Sequence, residues 1–255
     1  MLYDSLTVRD VVDSESAVEF LKEATKLATS HELEGIAQRL EAKRDLFGTE
    51  LSEVRLGSMS EEGFVELLRH VFSIRRKSRR LVRIVGVDAL RGAVSDLVHG
   101  SGDPSDRFEA FVSSMDGVID QRRAINLAGE LLHFSDPEQH WLWTNWMWDH
   151  QTGSGALPMV IQDDAPLSGG SLAERYRNVG AALRLVEASG HSRNISGNAD
   201  GMLGNDLFLA CVHGVYMYTV FRLKLSNEFN RILPELPELV ERVLGVRNLE
   251  VRPND

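Results

Sequence analysis

A run of basic residues, RRKSRRLVR at 75–83, is the strongest electrostatic feature of the sequence. Seven Lys and Arg residues lie between Arg69 and Arg83, and no acidic residue interrupts them. Clustered cations bind carboxylates and phosphates, so the run predicts an anion-binding surface formed by Arg75, Arg76, Lys77, Arg79, Arg80 and Arg83. The alternative interpretation is a solvated helix face whose charges pair with acidic residues elsewhere in the chain.

All four tryptophans lie in one short segment, WLWTNWMWDH at 141–150. On a helix, Trp141 and Trp148 would share one face, and Trp143 and Trp146 would pair on a neighbouring face. Such a segment is aromatic nearly all round, which suits burial between other helices. An exposed stacking platform would need cationic neighbours, whereas the residues flanking the segment are acidic. The pattern favours core, with Trp141 and Trp148 buried and with Trp143 or Trp146 reaching the next loop as a binding residue.

Histidines and carboxylates also cluster around this segment. Imidazole and carboxylate groups suit zinc or iron, but no two of the histidines are spaced i, i+4 on one helix, so we predict no metal and no cofactor. Ser154 lies between two glycines but lacks the preceding strand and the full spacing of a nucleophile elbow. No complete catalytic signature emerges from the set His133, Asp136, Glu138, His140, Asp149 and His150.

The composition narrows the classes of partner. With 28 basic and 38 acidic residues the formal net charge is −10, which argues against generic binding to nucleic acid or to anionic membranes but leaves room for a local basic patch. Cys211 is the single cysteine, so no intramolecular disulfide can form. The first residues lack the features of a signal peptide, and no apolar run approaches the roughly 18 residues of a membrane span. We therefore expect a soluble, cytoplasmic protein.

Apolar residues recur at three- and four-residue steps over most of the chain, whereas alternating strand patterns are almost absent. This periodicity predicts a mainly α, compact multi-helix globule of roughly nine helices, which could divide into two helical subdomains. We expect a subdomain at 1–150 that carries the basic patch and the tryptophans, a loop or lid at 151–171, and a subdomain at 172–255 with a central apolar helix. That apolar helix is interpreted as core, with a subunit interface as the alternative.

The predicted helix ends rest on capping and breaking residues. A break is expected near Ser30-His31 and a short strand at 159–161, and the last two helices should hinge at Leu233-Pro234. Further helices are expected to begin at Ser58 or Ser60 and at Ser105, and one that includes Ile119 should end before Pro137.

Residues 94–143 carry a turn glycine, Gly117, followed by an apolar helix that ends in LLHF and Pro137-Glu138, and then by the aromatic Trp143. In these features the region resembles the helix-hairpin-helix DNA glycosylase-like proteins. The resemblance implies a related all-α scaffold and DNA as a ligand. Asn145 stands near the expected position of the family's catalytic acid, which makes Asp149 a displaced candidate.

Two functional hypotheses follow. The first is a non-catalytic interaction or regulatory subunit that binds a protein partner, or a second copy of itself, through the basic patch and the tryptophan segment. The second, which depends on the resemblance, is a nucleic-acid-binding or nucleic-acid-processing enzyme with Asp149 as the acid and Arg122 or Arg123 on phosphates.

Overall fold

A computed structural model of the chain describes residues 5–196, 201–224 and 234–249. The prediction of a mainly α protein is confirmed, because regular structure in these residues is helical and β-pairing among them occurs only as two isolated bridges. The helices are α1 (Val8–Val11), α2 (Ser14–Leu27), α3 (Ser30–Glu50), α4 (Glu53–Gly57), α5 (Glu61–Leu68), α6 (Ser78–Val85), α7 (Val87–His99), α8 (Pro104–Ser114), α9 (Gln121–Ser135), α10 (Leu172–Ala188), α11 (Arg193–Ser196), α12 (Gly201–Lys224) and α13 (Leu236–Leu244). None of the helices in these ranges combines the length and apolar character that a membrane span requires.

The chain divides into two compact units that interleave along the sequence. The first unit contains residues 1–41, 146–165 and 182–247, and the second contains residues 42–145, 166–181 and 248–255. Boundaries fall inside α3, inside the tryptophan segment between Asn145 and Trp146, and inside α10. The sequential division at 150 and 172 stays a prediction.

In the first unit, α12 packs against α2, α11 and α13. Many of its apolar residues, among them Leu207 and Phe208, are fully buried. A Cβ atom at Gly214 would collide with Leu236 of α13, so glycine permits the close approach of these two helices. α12 lies within the region in which a central apolar helix was predicted. Residues 225–233, including the predicted hinge residue Leu233, lie outside the described residues.

In the second unit, α7 packs against α4, α6, α8 and α9, and α8 also packs against α9. The buried faces of α8 and α9 follow the predicted periodicity, with Phe108, Phe111 and Leu127 almost completely inaccessible to solvent. This packing fixes α6 and the start of α9 near α7, and these two elements carry the predicted basic residues.

Capping residues explain most of the helix boundaries. The chain breaks between α2 and α3 near Ser30, and Ser60 caps α5 by accepting a hydrogen bond from the Gly63 N–H at 3.1 Å, both as predicted. The prediction of Ser105 as a cap is wrong, because the carboxylate of Asp103 accepts the Ser105 N–H at 2.8 Å and Pro104 occupies the first helical position. Proline suits that position because its missing N–H would have no partner there.

The loop at 151–171 contains one short 3-10 turn at Leu157–Met159. The strand predicted at 159–161 is reduced to a single antiparallel bridge between Ile161 and Val12. Hydrogen bonds from Asp13 N–H to the Val160 carbonyl, at 3.0 Å, and from Gln162 N–H to the Val11 carbonyl, at 2.8 Å, hold this part of the loop to the end of α1. A lid function for the loop stays a prediction.

Candidate binding site

The basic run forms an exposed surface on α6 and on the turns that precede it. Leu81 and Val82 anchor the helix because their side chains are buried, with 2% and 1% of their surface exposed. The cationic side chains project away from this anchor, and all except the half-buried Arg75 are exposed. Helical spacing places Arg79 and Arg83 one turn apart on one row, and Arg80 lies beside Ile84 on the next row.

Most of these cations form no ion pair with a described residue. Within the three described ranges, no carboxylate pairs with any member of the set Arg76, Lys77, Arg79, Arg80 and Arg83. The interpretation of this run as a face paired with the acidic surplus is therefore not supported by the described contacts. Arg75 differs, because its guanidinium lies over the Phe72 ring at 4.9 Å from the ring centroid.

A cleft of about 200 Å³ lies between α6 and the turn that leads into α9. Lys77, Arg80 and Arg123 supply positive charge to its wall, and Asp120 supplies one negative charge. The remaining wall is aliphatic and consists of Leu81, Ile84, Val118 and Ile119. Two basic segments that are separated by about forty positions in the sequence thus meet in one concavity.

The turn between α8 and α9 forms one wall of the cleft. Gly117 adopts a φ of +76°, a backbone conformation that L side chains rarely adopt, and the Met115 carbonyl accepts hydrogen bonds from the N–H groups of Val118 and Ile119 at 3.0 and 3.2 Å. This tight turn leaves Val118 and Ile119 half-exposed before the helix begins. The prediction that Ile119 belongs to the helix is wrong, since α9 begins at Gln121.

Asp120 has two roles at this wall, one with each oxygen. Its Oδ1 accepts the backbone N–H of Arg123 at 3.0 Å and caps α9, whereas its Oδ2 pairs with the Arg123 guanidinium. Both side chains remain substantially exposed, at 48% and 39%. Arg123 is thus already paired inside the chain, in contrast to Lys77 and Arg80.

The arrangement of the cleft suits an amphiphilic anion. Guanidinium and ammonium groups form charge-assisted hydrogen bonds to carboxylates or phosphates, and the aliphatic wall can bury apolar groups of the same ligand. The cleft wall contains no histidine, cysteine, serine or threonine among the described residues.

The other predicted contacts are partly separated from the cleft. Arg122 is exposed at the start of α9, and its backbone carbonyl accepts a hydrogen bond from Asn145 Nδ2 at 2.6 Å. The Asn145 N–H donates to the Asn126 side chain at 2.8 Å. These two hydrogen bonds attach Asn145, in the middle of the tryptophan segment, to α9. No tryptophan lines the cleft.

The tryptophan segment is not helical, and its burial differs from the predicted pattern. Trp143 is completely buried and stacks on Phe108 with ring centroids 5.4 Å apart, so it offers no face to a ligand. Trp148 is buried at 6% exposure, as predicted, whereas Trp141 is only half-buried. Of the two tryptophans expected to approach the surface, only the half-exposed Trp146 is accessible.

Close packing explains why the segment is irregular. In the second unit, a Cβ atom at Gly129 of α9 would collide with the Trp143 backbone, and one at Gly180 of α10 would collide with the Trp141 ring. The Trp141 indole N–H donates to the Tyr176 carbonyl at 2.8 Å. These contacts make the segment part of the core, where the burial of aromatic area stabilises the fold.

The residues considered for metal or catalytic chemistry have structural contacts. Asp149 is buried, its Oδ1 accepts the Gln151 N–H at 3.0 Å, and its own N–H donates to the Ser154 carbonyl at 2.7 Å. His133 is completely buried with its Nδ1 2.7 Å from the His140 carbonyl. Burial lowers the pKa of His140 to about 4, with a further contribution from the charge of Arg107. No three histidine, cysteine or acidic side chains converge in a metal-binding group within the described ranges.

The sequence analysis missed two features. Asp120 and Ile84 belong to the cleft, and an aspartate immediately before a helix pattern was an available capping signal. A buried ion pair joins Lys43 Nζ to Glu130 Oε2 at 2.6 Å. It could not have been found from periodicity, because both residues look like ordinary surface positions of amphipathic helices.

Comparison of the chain with known protein families, with curated proteins and with solved structures found no match. The helix-hairpin-helix resemblance and the functional hypotheses therefore depend on the residues and contacts of this chain alone.

Proposed function

We propose that this protein is a non-catalytic interaction or regulatory subunit that binds an acidic segment of a protein partner in the cytoplasm. The observation that carries the proposal is the cleft between α6 and the start of α9, in which Lys77 and Arg80, which form no ion pair in the described part of the chain, face an aliphatic wall. The exposed row that includes Arg76, Arg79 and Arg83 extends this positive surface beyond the cleft.

A peptide matches both components of the cleft. Its Asp or Glu side chains can pair with Lys77 and Arg80, while its aliphatic side chains can contact Ile84, which is 52% exposed in the unbound chain. A nucleic-acid backbone offers anions but no aliphatic groups at the same spacing. The net charge of −10 also opposes the long-range attraction of a polyanion that lacks specific contacts.

Fluorescence anisotropy with a labelled synthetic peptide of alternating Glu and Leu tests the proposal. Replacing Lys77 and Arg80 together by Gln should weaken binding at least about tenfold, which corresponds to about 1.4 kcal/mol. The matched control replaces Arg44 and Arg55 by Gln, which removes the same charge from exposed positions outside the cleft. Equal losses in the two double variants would show that only net charge matters and would contradict the proposal.

A second peptide, in which Ser replaces every Leu, tests the aliphatic wall. This peptide retains the charge but has no aliphatic side chains. It should therefore bind more weakly to the wild-type protein than the Glu-Leu peptide does, and an Ile84→Ser substitution should change its affinity less. Equal affinity for the two peptides would exclude a contribution from Leu81, Ile84, Val118 and Ile119.

The nucleic-acid hypothesis stays a second candidate, supported by one local feature. Gly117, with its positive φ, lies in the short turn between the packed helices α8 and α9, and Arg122 and Arg123 follow in the first turn of α9. A gel shift with duplex DNA tests it. Salt-sensitive binding that is abolished when Arg75, Arg76, Arg79 and Arg80 are changed to Ala would favour nucleic acid over an acidic peptide.

A further inference from the structure

The Asp120–Arg123 pair lies in the wall of the cleft, where an anionic ligand would bind. Arg123 is one of three cations in that wall, and it is the one whose guanidinium already contacts a carboxylate of the chain. Lys77 and Arg80 have no carboxylate partner in the part of the chain that the structure describes. The cleft therefore contains two cations available to a ligand and a third that is occupied.

A ligand carboxylate and the Asp120 carboxylate have the same chemistry toward Arg123. Each can accept hydrogen bonds from the guanidinium, and a ligand group that binds there must displace Asp120 or share the cation with it. Asp120 also places a negative charge beside the ligand's own anion, and like charges repel. Both effects weaken the binding of an acidic segment.

The competition of Asp120 with a ligand can be tested apart from its capping of α9, because a different carboxylate oxygen makes each contact. Oδ1 caps the helix through the Arg123 N–H, and Oδ2 is the oxygen that pairs with the guanidinium. An asparagine can keep the capping oxygen while an uncharged amide replaces the second oxygen, and asparagine caps helices about as well as aspartate. The competing anion can thus be removed without removal of the cap.

We infer that Asp120 acts as an internal competitor that occupies Arg123 and is displaced by the anionic group of the bound segment. This inference depends on the proposed binding function of the same cleft. In the unbound chain the pair neutralises one cation, so the cleft selects ligands whose negative charge is placed to replace Asp120 at Arg123.

The test measures affinity for the Glu-Leu peptide by anisotropy in a double-mutant cycle of Asp120→Asn and Arg123→Gln. Asp120→Asn should raise affinity about three- to tenfold, because it releases Arg123 and removes a repelling charge. Arg123→Gln should have little effect in the wild-type background and a several-fold larger effect in the Asp120→Asn background. Asp116→Asn is the matched control, since Asp116 is exposed in the same turn and does not line the cleft.

The outcomes distinguish this inference from the proposed function. If Lys77→Gln/Arg80→Gln abolishes peptide binding but Asp120→Asn has no larger effect than Asp116→Asn, the binding function stands and the competitor is refuted. A gain from Asp120→Asn that persists unchanged in the Arg123→Gln background also refutes it. If the wild-type chain does not bind the peptide, both fail. Asp120→Ser, which also caps a helix, provides a second variant if Asp120→Asn folds poorly.

Discussion

Replacing Lys43 by Met should lower the free energy of unfolding by about 3–5 kcal/mol, which is a large part of the stability of an ordinary domain. Lys43 is fully buried in the second unit, and its Nζ lies 2.6 Å from Glu130 Oε2 and 4.2 Å from the centre of the Phe134 ring. The substitution removes the cation and leaves the carboxylate, which is itself almost completely inaccessible. An uncompensated buried charge costs far more than a lost surface ion pair.

The loss of stability caused by Lys43→Met should increase as the pH rises. Burial raises the pKa of Glu130, while the nearby Lys43 ammonium opposes this effect. Without that ammonium the pKa rises further, so folded Glu130 binds a proton at a pH at which the unfolded chain does not. Stability then falls as pH rises above the unfolded pKa of about 4.3, and this loss ends at the higher pKa of the folded state. The Lys43→Met variant should therefore be closer to wild type near pH 4.5, at the lower end of this window, than at pH 8.5.

Urea unfolding followed by far-ultraviolet circular dichroism measures these free energies. The matched variants are Glu130→Gln, which keeps the size of the side chain, and the double variant Lys43→Met/Glu130→Gln. Because the double variant buries no unpaired charge, it should recover at least about half of the loss caused by Lys43→Met alone. Strictly additive losses, or a Lys43→Met deficit that is the same at pH 4.5 and pH 8.5, would refute the buried-pair explanation.

Two further predictions concern the tryptophans and a buried histidine. Trp143→Ala should destabilise the protein by about 3–5 kcal/mol in urea unfolding, because Trp143 is fully buried. Trp146→Ala should cost clearly less because Trp146 is half-exposed, and iodide should quench the fluorescence of Trp146 more than that of Trp143. Comparable losses of stability for the two variants would contradict the burial pattern. Burial lowers the pKa of His213 to about 4, whereas the pKa of histidine in the unfolded chain is about 6.5. Between these two pH values the unfolded chain binds the proton preferentially. The free energy of unfolding therefore decreases as the pH falls through this window, by at most about 1.4 kcal/mol per pH unit. His213→Gln should flatten this decline and the exposed control His31→Gln should not, and a decline unchanged by His213→Gln would show that other groups cause it.

The amino-acid pattern alone predicted the helices because their causes are local. The steps of three and four between apolar residues give each helix one buried stripe, and residues such as Ser60 satisfy the free N–H groups of a first turn wherever the helix lies. The basic run was equally visible, since seven cations without an intervening acid form a charged surface in almost any conformation. Mistakes occurred where two local signals competed, as when Asp103 rather than Ser105 became the cap of α8.

Tertiary packing decided the features that depend on distant residues. The spacing of the tryptophans is compatible with helix faces, but the segment is not helical: Gly129 lets the Trp143 backbone approach α9 closely, and Gly180 lets the Trp141 ring approach α10 closely. The cleft forms because the turn at Gly117 brings Arg123 beside Arg80, and no periodicity within either helix encodes that approach. A sequence pattern specifies which face of an element is buried, whereas only the folded chain determines which charges and apolar side chains meet.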